Sequence, residues 1–202
     1  MLSATGAISA AFSRTLGEVG KSSFLSDGSN EAPNIDNEVV VNERFRGEIK
    51  TGVSVSNKKY TIDINLTADT DFSNLEDAAL AAISIEKQLR LRGKKLSNGY
   101  TLDVEVSISL VDSGGDISIN NCPGACINPY SIQPSGGYAR LSGRTMYLKD
   151  ISWSAGHEMG HILGLQHQGG GTGSLMSYDE NRSFFNGTDA ERLFKAYRKN
   201  GY

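Results

Sequence analysis

His157-Glu158-Met159-Gly160-His161-Ile162-Leu163-Gly164-Leu165-Gln166-His167 places three histidines, a glutamate and a glycine at fixed intervals. Residues four apart on a helix share one face, one turn apart. His157 and His161 can therefore offer their imidazoles to a single ion. Glu158 lies about 100° round the helix, placed to reach a water on that ion rather than to act as a third helical ligand. Gly164 can adopt a positive φ without steric cost, so it can end the helix and turn the chain back. His167 then completes the set. Three neutral imidazoles with one open position form the ligand set of a catalytic zinc rather than of a structural one. A pattern fixed at five positions arises by accident on the order of once in 100,000 chains of this length. The chain has three histidines in all, and every one is in this stretch.

The stretch reads H-E-x-x-H-x-x-G-x-x-H and resembles the signature of the metzincin zinc endopeptidases at all five defining positions. Ser174-Leu175-Met176-Ser177-Tyr178, with Met176 nine residues after His167, resembles the Met-turn of that family. The resemblance implies that Met176 lies beneath the metal as an apolar floor and does not ligate it. It gives Tyr178 two roles, a fifth ligand in the resting state or a donor to the oxyanion. Gln168, directly after the third histidine, matches none of the common subfamily markers.

By this resemblance the fold is α+β: a mixed twisted sheet with two long helices and a small C-terminal subdomain, and a cleft between. The implied activity is zinc-dependent peptide-bond hydrolysis, with Zn2+ held by His157, His161 and His167. Glu158 is the general base for the attacking water. The substrate is expected as an extended protein or peptide chain along an edge strand near Tyr138-Ala-Arg-Leu141, joined through backbone hydrogen bonds. Two other readings keep the metal: an amidohydrolase acting on a non-protein amide such as peptidoglycan, and a zinc-stabilised binding module. Glu158 argues against the module, because a structural site needs no base beside its ligands.

Further from the motif, Asp150 or Ser152 can cap the histidine-bearing helix. Its Ile151, Ala155, Met159, Ile162 and Leu163 fall on the side opposite His157 and His161. Tyr138–Leu141 and Thr145–Leu148 read as strands joined by Ser142-Gly143. Residues 120–137, with three prolines and both cysteines, read as a loop. Cys122 and Cys126 either close a small disulfide, which implies an oxidising destination, or remain thiols. Lys58–Thr67 and Tyr100–Val111 alternate apolar and polar residues and are expected as half-buried strands, with a short strand at Asp116–Ile119. Between the first two, an Ala/Leu/Ile-rich helix is expected over residues 75–91. Ser73 and Glu76 form its capping box, Arg90 and Arg92 its last turn, and Gly93 its stop. A second capping box, Thr188 to Glu191, opens a C-terminal helix with Ala190, Leu193, Phe194 and Tyr197 inward.

Residues 1–57 show no sustained period, and Asp27–Pro33 has linker composition. They are expected as a flexible extension or linker, with residues 58–202 as the catalytic domain. Phe45-Arg46-Gly47-Glu48 resembles the latency motif of astacin-like propeptides, with Glu in place of Asp.

At 38% hydrophobic and 21% charged residues the composition is that of a soluble globular protein, and the net charge of −3 carries no basic cluster. Nucleic acid is therefore not an expected partner. No apolar run reaches the roughly 20 residues of a membrane span. The acidic stretches Ala68–Asp71 and Asp112–Asp116 lack a calcium-loop pattern and read as solvated turns. The first twelve residues lack a basic segment and a strong apolar one, so no cleaved signal peptide is expected. A protease of this kind suits a secreted protein or a toxin or effector delivered by another route, with a cytoplasmic location as the alternative. It is expected to be a monomer with an inhibitor or immunity protein as a further partner.

Overall fold

The computed structural model describes residues 38–42, 48–122, 126, 136–177 and 185–198. All of these fall in one compact unit, Ile35–Tyr202. In chain order the elements are β1 (Glu38–Asn42), β2 (Glu48–Ser54), β3 (Lys59–Thr70), α1 (Leu75–Leu89), β4 (Leu91–Lys95), β5 (Thr101–Leu110), β6 (Ile117–Asn121), β7 (Gly137–Ala139), β8 (Thr145–Leu148), α2 (Ile151–Ile162) and α3 (Gly187–Arg198). The architecture is α+β, with one mixed sheet and three helices among the described residues.

β3 is the spine of the sheet. Ile62 pairs with Thr51 of β2 on one side and Val104 of β5 on the other, and Ala68 lies between Leu110 of β5 and Ile117 of β6. β2 and β6 therefore follow one another along one side of β3, antiparallel and parallel to it respectively. β8 runs parallel to β6, and β7 closes that side as an antiparallel edge strand. Alternation sets the two faces. Ile62, Ile64, Leu66 and Ala68 of β3 and Leu102, Val104, Val106 and Ile108 of β5 enter the core with Ile117, Ile119, Met146 and Leu148. Against them pack Ala81, Ile85 and Leu89 of α1 and Ala155, Met159 and Ile162 of α2. The opposite face is polar and carries the pairs Lys59–Asp103 at 2.7 Å and Arg92–Glu105 at 2.6 Å.

Several sequence expectations shift. The expected domain start at residue 58 falls inside the β2–β3 hairpin, because β2 pairs with β3 along its whole length. The inward alternation of β2, Ile49, Thr51 and Val53, is shortened by Gly52 and Ser54, which hid it in a stretch without sustained period. Helix α1 ends at Leu89, and Arg90 is already extended. Arg90 and Arg92 instead bond Glu105 across the sheet, and Gly93, with φ 59°, donates its N–H to Asp103 at 2.6 Å within an irregular β4–β5 pairing. That glycine serves a bulge, not a helix stop. Asn residues cap two of the helices in place of the expected Ser73 and Thr188. Asn74 Oδ1 accepts from Glu76 N at 2.9 Å, and Asn186 Oδ1 from Asp189 N at 3.0 Å. Asn and Ser compete closely as caps, so the pattern alone left the choice open. The edge strand spans Gly137–Ala139 only; Arg140 and Leu141 belong to a turn closed by Gly143 N–H to Arg140 O. Cys122 and Cys126 are joined in a disulfide.

Candidate metal centre

Asp150 caps α2, accepting from Trp153 N at 3.1 Å, so Asp150 takes the role expected of it or Ser152. From Ser154 to Ile162 every residue is buried. Ala155, Met159 and Ile162 face the core as expected. His157, Glu158 and His161 are also covered, at 3%, 5% and 8% exposure. The covering comes from the chain that returns after the helix.

That return is a Schellman turn. Gly164 N–H donates to His161 O at 3.0 Å and Leu165 N–H to Gly160 O at 2.8 Å, with Gly164 at φ 92°. The turn brings His167 back over the helix. Its Nε2 stands 3.3 Å from His157 Nε2 and 2.9 Å from His161 Nε2. The three histidines can hold a metal ion, with ligand atoms all within 4.8 Å of one another.

The far side of each helical imidazole fixes its tautomer. His157 Nδ1 is 2.8 Å from the Leu175 carbonyl, and His161 Nδ1 is 2.8 Å from the Leu165 carbonyl. A carbonyl only accepts, so each Nδ1 carries the proton and each Nε2 presents a lone pair. Both lone pairs point at His167 Nε2, which has at most one proton to give. A cation satisfies all three nitrogens together. Two nitrogens bound at about 2.0–2.1 Å to one tetrahedral ion stand about 3.3 Å apart, which is the His157–His167 separation and somewhat more than the 2.9 Å between His161 and His167. The donor set, neutral imidazoles oriented by backbone carbonyls, suits zinc among other borderline metals.

The turn containing Met176 lies under this cluster. Ser177 N–H donates to Ser174 O at 3.0 Å, and Gln168 N–H to Met176 O at 3.0 Å. Met176 is fully buried, and a Cβ on Gly160 would collide with its sulfur. Glycine at 160 therefore lets the methionine approach the helix between the two helical histidines. Ser174 Oγ donates to the Asp189 carboxylate at 2.8 Å and accepts from Met176 N at 2.9 Å, which ties the turn to α3. Burial pushes Asp189 above the usual carboxylate range, against the hydrogen bonds from Ser174 and its neighbours. Asp189 was not singled out from the sequence. A buried acid in the first turn of an amphipathic helix was the available signal.

Glu158 projects from the same helix toward β7. A Cβ on Gly137 would lie 3.2 Å from Glu158 Cγ and 3.0 Å from Ser154 Oγ. The edge strand thus runs against the stem of this carboxylate. The neighbouring Gly136 carbonyl accepts from Lys149 N at 2.8 Å, Asp150 N at 2.9 Å and Ser154 Oγ at 2.9 Å, so β7 is pinned to the start of α2. The structure brings His157, His161 and His167 together in one group, with Glu158 on the same helix as the first two. Tyr178 and the Phe45–Gly47 part of the latency-like stretch lie outside the described residues.

No protein-family model matches the chain, and no curated protein matches it. Two solved structures of myroilysin are similar to it. One has a TM-score of 0.42 at 15% identity and covers 66% of this chain and 92% of that one. The other has a TM-score of 0.42 at 14% identity, covering 67% and 83%. A likeness this loose describes neither activity nor substrate. No helix among the described residues is long and apolar enough to cross a membrane.

Proposed function

We propose that the chain is a metzincin-like zinc endopeptidase. The observation that carries this reading is the convergence of three imidazole nitrogens beside a buried glutamate that is not one of the group. His157, His161 and His167 hold the ion. Zinc, when bound, supplies Lewis-acid polarisation and lowers the pKa of water to about 7. Glu158 takes a proton from the attacking water and returns it to the leaving amine; general acid–base work of this kind contributes roughly 10²- to 10⁴-fold. Its buried position beside β7 removes bulk water from the proton's path. The outer edge of β7 receives the substrate backbone as an added strand, which favours an extended peptide over a compact amide. Tyr178 is assigned as the donor to the developing oxyanion.

The disulfide supports an oxidising destination, in keeping with a secreted or delivered protease, whose natural counterpart would be an inhibitor or immunity protein. The test is zinc content and hydrolysis of a denatured, unspecific protein, wild type beside Glu158→Ala. The expected result is one zinc in both proteins and a kcat at least about 10²-fold lower in the variant. Equal cleavage by both, or zinc in both with cleavage by neither even after removal of residues 1–37, would rule the reading out.

A further inference from the structure

The metal-bearing helix is gripped from behind by one side chain. Gln88, in the last turn of α1, is 8% exposed. Its Nε2 donates to Ser152 O at 2.5 Å, and its Oε1 accepts from Gly156 N at 2.8 Å. Ser152 C=O and Gly156 N–H are four residues apart, the pair that one turn of an α-helix joins to each other. A carboxamide carries the matching donor and acceptor, so Gln88 engages both ends of one step of the α2 ladder. The orientation of the amide is forced: Ser152 O can only accept, and Gly156 N can only donate.

The fit is two-sided. A Cβ on Gly156 would meet Gln88 Oε1 and come within 2.6 Å of Gln88 Cβ. Glycine at 156 therefore makes room for this amide, although it sits mid-helix, where glycine costs about 1 kcal/mol against alanine. The main chain of Gln88 is engaged as well, its carbonyl accepting from Phe185 N at 3.2 Å just before α3. A buried carboxamide is costly unless its groups are bonded, and here both of its polar atoms have partners on the helix that bears the ligands.

We infer that Gln88 is a positioning residue for the metal centre: its clamp on Ser152 and Gly156 fixes the rotation and height of α2, and so the placement of His157 and Glu158, the next two residues. Gly156 directly precedes His157 in the chain, so the effect passes through the helix backbone.

The discriminating variant is Gln88→Met. It is close in volume, and the Ser152 C=O and Gly156 N–H it releases can satisfy each other within the helix. The fold is therefore expected to survive, with a thermal midpoint near that of wild type. Titration of the full chain with zinc alone is expected to show a Kd raised on the order of 10-fold, the lower end of what support of a metal ligand is worth. The turnover part rests on the endopeptidase reading: kcat falls by a similar factor while KM is unchanged. Gly156→Ala is expected to reproduce both losses by expelling the amide. Combining it with Gln88→Ala should add no further loss of zinc affinity, since both remove one clamp. Wild-type zinc affinity in Gln88→Met, or additive losses in the double variant, overturns the assignment and leaves Gln88 as packing. If wild type binds zinc and cleaves nothing even after removal of residues 1–37, the endopeptidase reading fails, and the zinc titrations still decide the role of Gln88.

Discussion

Helices α2 and α3 are both twelve residues long, and they are held in opposite ways. α3 has an apolar stripe, Ala190, Leu193, Phe194 and Tyr197, and a charged outer side with Glu191 and Lys195. α2 is buried on every side from Ser154 to Ile162, although that stretch contains two histidines and a glutamate. Burial of polar groups is tolerated only where each finds a partner. For α2 the partners lie outside the helix: the Leu165 and Leu175 carbonyls take the two histidines, and the Gln88 side chain of α1 bridges its own Ser152 and Gly156 backbone groups. α3 is thus held by area, and α2 by directed bonds that also aim its histidines.

If this contrast is right, the two helices fail differently. Leu193→Ala removes a fully enclosed side chain from the stripe of α3 and is expected to cost about 2–5 kcal/mol. Urea titration checks it, with zinc affinity measured at low urea expected to stay close to wild type. Substitutions along α2 should show the reverse, with modest changes in stability and large changes in metal affinity or turnover. A Leu193→Ala variant that lost zinc while keeping its stability would erase the distinction.

The same contrast explains what could be read in advance. The clustered histidines were legible because they lie within eleven residues, and helix geometry alone brings two of them together. The strands β3 and β5 were legible from alternation, and β8 from the Ser142-Gly143 turn before it. What escaped depends on contacts that no local pattern encodes. Arg90 and Arg92 look like a helical last turn until the chain turns extended after Leu89 and both pair with Glu105 of β5. β2 shows its inward face only when paired with β3. Gln88 reads as one more polar residue of an amphipathic helix, and Gly156 as a helix-weakening glycine. Their meaning appears only when α1 and α2 cross.

The Schellman turn lies between the two modes, since it is backbone geometry that places a ligand. Alanine at Gly164 would have to adopt φ near 92°, which for an L-residue costs about 1–2 kcal/mol. Gly164→Ala is therefore expected to lower stability by that amount and to weaken zinc binding, because the displaced turn carries His167. Thermal unfolding with and without added zinc separates the two effects. The midpoint gain on adding zinc should shrink, whereas a purely local strain would lower both curves equally.

The smallest effect sharpens the comparison most, because Asp189 is where α3 borrows the manner of α2. Its carboxylate is buried and accepts from Ser174, so a helix otherwise held by area contributes one directed bond to the turn that contains Met176. Burial raises its folded-state pKa above that of the unfolded chain, with the hydrogen bonds of Ser174, Asn186 and Leu175 pulling the other way. Between the unfolded and the raised folded value, the native protein keeps a proton that the unfolded chain has released. Stability therefore falls as pH rises through that window, and the cost is complete above the folded value. Asp189→Asn keeps an acceptor for Ser174 and cannot ionise, so it lacks this slope. Measured by thermal midpoints from about pH 3.5 upward, starting below the ordinary carboxylate value of about 3.9, the variant should gain on wild type as pH rises and then hold a constant difference. A gap that moved the other way would mean that the bonds to the Met176 turn outweigh burial. Asp189 would then anchor the turn best as a full anion, and α3 would owe more to directed bonds than its apolar stripe suggests.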